Sequence, residues 1–153
     1  MRNNSGFSAF EVAVAIAIVA VIAAITMPNY LKWLRGYRLR GATSNLVADL
    51  EMAKIRAIRE NASIVVKFYA NHYEVFVDNN PNDGDWQVGE LRLRNRDLPA
   101  GVSINHTEFT DNQTRFNGRG IPPEILNEKK ITLTNSINTK KISINRMGYM
   151  NVQ

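Results

Sequence analysis

A single carboxylate, Glu11, stands in an otherwise apolar run over residues 7–27, close behind Gly6 and Phe7. Inside hydrocarbon an ionised carboxylate costs about 2.5–3.5 kcal/mol even on insertion scales, so its presence calls for a charge to meet. An amine would serve. Hydrolysis of the Gly6 to Phe7 peptide bond would create one at Phe7 and leave the apolar segment on the mature chain, with Glu11 four residues on and able to pair with an amine. A secretory signal is cut differently, at small residues after its apolar stretch.

The remaining residue types offer little reaction chemistry. Cysteine is absent, and His72 and His106 are the only histidines. Ser63, Ser103, Ser136 and Ser143 fall within expected strands or at their edges, so no nucleophile and base are brought together and no catalytic residue is assigned. Asp78, Asn80 and Asn82 have the alternate spacing of a calcium loop. The glycine of that loop is one place late at Gly84, and the twelfth position is Gly89 where a bidentate glutamate is required. The segment reads as a polar hairpin loop, with no metal and no cofactor. Gly118-Arg119-Gly120 is too short for a phosphate loop and runs into Pro122-Pro123.

The elements that must carry these residues follow from period and length. Residues 7–27 make about 31 Å of α-helix, enough to cross a hydrocarbon core about 30 Å thick once, and a run so apolar on every face has no side to show water. Lys32, Arg35, Arg38 and Arg40 follow it, against Arg2 before it, so a count of positive flanks alone would turn the C-terminal side toward the cytoplasm. Leu46, Leu50, Ala53 and Ala57 recur at helical steps, which predicts an amphipathic continuation with a kink near Pro28 and softness near Gly41; two helices with a break are the alternative. Strands are predicted at 64–69, 73–77, 90–94, 102–106, 114–117, 131–134 and 141–145. No βαβ alternation appears. The expected fold class is therefore α+β, a long N-terminal helix packed on antiparallel sheet.

With 153 residues, the chain has room for one modest domain after the helix. The net charge is +5, and without the first six residues 18 basic and 14 acidic side chains leave +4, a mild bias. Lacking cysteine, the fold must depend on its core.

Gly6-Phe7-Ser8-Ala9-Phe10-Glu11 and the apolar residues after it resemble the class III leader and anchor of type IV pilins and pseudopilins. Ala9 and Phe10 depart from that family's commoner leucine and isoleucine. The resemblance implies that a prepilin peptidase cuts after Gly6 and that Phe7 is N-methylated. It also implies that Glu11 and Pro28 correspond to the family's assembly glutamate and helix proline. Further along, 50–61, the stretch from Val75 to Leu91, Phe116-Asn117-Gly118-Arg119-Gly120 and Ile142-Ser143-Ile144 resemble the GspH/FimT branch of minor pilins and pseudopilins.

The implied organisation is a leader at 1–6, a transmembrane and assembly helix at 7–28, and an amphipathic helix half with a pilin-like β-rich domain at 29–153. The chain would be a single-pass protein of the bacterial inner membrane with its C-terminal domain in the periplasm. Its implied partners are the lipid bilayer, the peptidase, other pilin or pseudopilin subunits and an inner-membrane assembly platform, in a type IV pilus or a type II secretion system. An alternative also follows, because some FimT-like proteins bind DNA through a C-terminal Gly-Arg-x-Arg motif. Here Asn145-Arg146-Met147-Gly148 stands at that place without the second arginine, and Arg119, Lys140, Lys141 and Arg146 would contact nucleic acid, with Lys129, Lys130 and Tyr149 nearby.

Overall fold

A computed structural model describes residues 8–78 and 84–153. Gly6, Phe7, Asn80 and Asn82 lie outside the described residues. Helix α1 spans Ala9–Glu60 without a break. Pro28 lies inside it and removes one amide from the ladder, while two residues earlier the Thr26 hydroxyl donates to the Ile22 carbonyl at 3.0 Å. The break considered at Gly41 does not occur. Gly41 is exposed, but Leu39, Ala42 and Thr43 around it are buried, so tertiary packing holds the turn that glycine alone would loosen. The helix stops at Asn61, whose φ of 47° and the bond from the Ala62 amide to the Ala57 carbonyl form a left-handed C-terminal cap.

Cα packing divides the chain into two units, one ending at Leu34 and the other Arg35–Gln153. The first consists of the apolar part of α1; the second joins the rest of α1 to two sheets. Strands β1 (Ile64–Phe68), β2 (His72–Val77), β3 (Arg92–Asp97) and β5 (Gln113–Phe116) form one sheet in the order β3-β2-β1-β5. The other has the order β4-β6-β7-β8, built from β4 (Ser103–Thr107), β6 (Lys129–Thr134), β7 (Thr139–Ile144) and β8 (Met150–Val152). Every pairing is antiparallel.

The predicted stripe Leu46, Leu50, Ala53 and Ala57 is buried against apolar residues of both sheets, among them Val66, Tyr73, Leu133 and Ile142. Fully burying one such leucine contributes about 1.5–3 kcal/mol, so this stripe outweighs the cost of the glycines in the helix. The other expected strands are present with ends shifted by one or two residues, and two strands differ more. The third begins at Arg92 instead of residue 90, because Glu90 is used by the preceding turn: its carboxylate accepts from the Gln87 amide at 2.8 Å and its carbonyl from the Trp86 indole at 3.1 Å. The eighth was not predicted, since three residues show no alternation to read.

Candidate functional site

Three groups of residues carry the sequence-based expectations. At the start of α1, Ser8 and Glu11 form a reciprocal cap: the Ser8 amide donates to Glu11 Oε2 at 2.9 Å and the Glu11 amide to Ser8 Oγ at 3.2 Å. Two of the amides that a helix start leaves unpaired are thereby satisfied. The signal was in the sequence, as Ser-x-x-Glu before an apolar run, and was missed in favour of the carboxylate alone. Ala9 and the residues after it expose their apolar side chains, and α1 is the one helix among the described residues long and apolar enough to cross a membrane.

The four basic residues considered for nucleic acid divide into two places. Arg119 and Arg146 are exposed on two loops of the same design. In Asn117-Gly118-Arg119-Gly120-Ile121, the asparagine Oδ1 accepts from the amides of Arg119 and Ile121, and the Gly120 amide returns to the Asn117 carbonyl. Asn145-Arg146-Met147-Gly148-Tyr149 repeats this with the amides of Met147, Tyr149 and Gly148.

Gly120 and Gly148 hold φ of 72° and 71°, a region that favours glycine. The loops abut, since a Cβ on Gly148 would stand 2.6 Å from the Gly120 carbonyl oxygen. Lys54 of α1 fastens the second loop, donating to the Gly148 carbonyl at 2.9 Å and lying 4.8 Å from the centre of the Tyr149 ring. Lys140 and Lys141 sit toward the other end of β7, on opposite faces of it and about 13 and 10 Å along the strand from its last residue, Ile144, at about 3.3 Å per residue. At the start of β6, Lys129 lies 5.6 Å from the centre of the Phe109 ring, and Lys130 pairs with Glu128 at 3.9 Å.

Side chains that the sequence suggested for other chemistry have structural tasks. The Asp78 carboxylate accepts from the Gly84 amide at 2.9 Å and pairs with Arg115 at 3.4 Å. Next to it, Lys67 pairs with Asp85, and that hydrogen bond raises the ammonium pKa above its ordinary value. His72 opens β2 and stacks on Tyr69 at 4.3 Å, while His106 is an exposed residue of β4.

Sequence reasoning missed a buried charge cluster. Asp49 of α1, 5% exposed, accepts from the Tyr73 hydroxyl at 2.6 Å and from Arg96 Nε at 2.9 Å, with Arg94 Nε at 3.6 Å. Burial, then the bond to Asp49, raise the Tyr73 pKa far above the usual phenol value. Arg96 and Arg94 lie opposite Tyr73 and Val75 in regular register, and a β-bulge beyond them puts Arg92 opposite Phe76, on the other face, where it pairs with Glu74 and lies 4.2 Å from the centre of the Trp86 ring.

A family model described as Type II transport protein GspH matches residues 42–148. Among solved structures, the Pseudomonas aeruginosa type IV minor pilin FimU matches with a TM-score of 0.61 at 15% identity, over 75% of this chain and 87% of that one. A second crystal form of FimU gives 0.57 at 14% identity, over 74% and 91%. At such identities the likeness is one of fold. No curated protein sequence matches the chain.

Proposed function

The chain belongs to the GspH family, and from that membership we propose that it is a structural subunit, a minor pilin or pseudopilin, of a type IV pilus or a type II secretion pseudopilus. The observation that carries this reading is the unbroken α1, apolar in its exposed N-terminal part and packed on sheet in its C-terminal part. The fold likeness to a type IV minor pilin supports it.

In this reading the prepilin peptidase cuts after Gly6 and the new amine at Phe7 is methylated. The subunit waits in the inner membrane with Arg35–Gln153 on the periplasmic side, and an assembly platform then extracts it into a filament or its tip. Glu11 has two partners in turn. Before assembly its carboxylate caps its own helix through Ser8; in the filament it meets the Phe7 amine of a neighbouring subunit, and because both charges are buried in packed helices the pair fixes the axial register. Pro28 breaks one helical bond and lets the helix bend as it packs. A nucleic-acid role would rest on Arg119 and Arg146, with Lys129 and Lys130 opposite the end of β7 that leads into the Arg146 loop, because Lys140 and Lys141 lie toward the other end of that strand; the filament reading needs no such surface.

Glu11→Leu tests the pairing. Membrane insertion, leader cleavage and the folded second unit should remain as in the wild type, while recovery of the chain with its companion subunits falls roughly tenfold or more, the scale of losing one buried charge pair. Recovery at wild-type yield would sink the pairing mechanism.

A further inference from the structure

Strand β8 ends its sheet, and its free edge lies along α1. The amides and carbonyls of Lys141 and Gln153 exchange both bonds, at 3.1 and 2.8 Å. Because bonded and non-bonded pairs alternate in an antiparallel ladder, Ser143 and Asn151 form the next bonded pair, and the backbone groups of Met150 and Val152 point outward from β7. Val152 lies opposite the buried Ile142, so its side chain is on the helix-facing side of the sheet.

A groove of about 290 Å³ runs there, lined by Arg40, Thr43, Ser44, Val47, Lys140 and Val152. Its walls are mainly apolar, and two cations stand at its rim. Neither Arg40 nor Lys140 has an ion-pair partner among the described residues. The three features, outward strand backbone, an apolar floor and paired cations, are complementary to one kind of occupant.

We propose that this groove is a β-augmentation site for an extended acidic segment of a partner protein. The segment would add to β8 through main-chain hydrogen bonds, place an apolar side chain over Val47 and Val152, and set carboxylates against Arg40 and Lys140. The alternation of strand side chains makes the site selective: Lys140 faces the groove, whereas Lys141, one residue on, faces away. Lysines also keep strand edges from aggregating. That duty would not require Lys140 and Arg40 to converge on an apolar floor. The site is independent of the assembly role of Glu11, so either can fail without the other.

The test uses the full chain in nanodiscs of zwitterionic phosphatidylcholine and a fluorescein-labelled peptide. The peptide alternates threonine on one face with glutamate, valine and glutamate on the other. Saturable binding at low salt is expected. Lys140→Glu should weaken it roughly tenfold or more, while Lys141→Glu, the same charge change on the other face, should leave it unaltered. A peptide with lysines for glutamates should bind Arg40→Glu better than the wild type, and N-methylation of the central amide should abolish binding. No saturable binding by the wild type would overturn the proposal. So would equal loss in Lys140→Glu and Lys141→Glu, or undiminished binding of the N-methylated peptide. Binding of a single-stranded oligonucleotide that depends on Lys140, with none of the peptide, would give the groove to nucleic acid and overturn it as well.

Discussion

At the residue scale the chain shows two carboxylates handled in different ways. Glu11 is exposed and, among the described residues, bonded within its own first turn, which leaves it open to a second partner; Asp49 is enclosed and already holds a phenol and a guanidinium. The Asp49 cluster has a pH signature. The raised pKa of Tyr73 means that its contribution is complete below about pH 10, the unfolded phenol value, and is lost as pH rises toward the folded value. Urea unfolding of the full chain, followed by circular dichroism, should therefore show stability falling above about pH 10. Tyr73→Phe should cost about 1–3 kcal/mol at neutral pH, from a buried carboxylate deprived of a donor, and should flatten part of the alkaline fall. The remaining slope belongs to Lys67, which Asp85 holds in its charged form over the same range. An alkaline profile unchanged by Tyr73→Phe would show that the phenol is not enclosed as described.

At the element scale the amphipathic half of α1 governs the fold. Leu50→Asp places an unpaired charge where both sheets meet the helix and should cost on the order of 4 kcal/mol or more, enough to unfold Arg35–Gln153. Protease digestion of the membrane-bound chain should then degrade that unit and spare it in the wild type; resistance in Leu50→Asp would contradict the packing. This helix was legible in the sequence because its stripe repeats over several turns, and the hairpin of β1 and β2 because β-branched and aromatic residues fill both strands. The bulge in β3 was not. It follows from the pairing with β2, a strand about twenty residues earlier in the chain. The twin asparagine loops were equally hidden, because the spacing that unites them only acquires meaning once β5 and β7 bring Gly120 and Gly148 together.

At the scale of the whole molecule, an apolar helix segment long enough to cross a bilayer continues into a β-rich unit that buries its own core. The fold of a minor pilin is consistent with that division of labour, and membership of the GspH family gives it a setting. In the proposed function the apolar helix stays on the mature chain, so that the anchor in the membrane would become the assembly element of the filament. Intact-mass and N-terminal analysis of the chain purified from membranes tests this most directly. The expected product is a mature protein that begins at N-methylated Phe7 and retains all of α1; a product beginning beyond Met27, or one still beginning at Met1, would contradict the retained anchor.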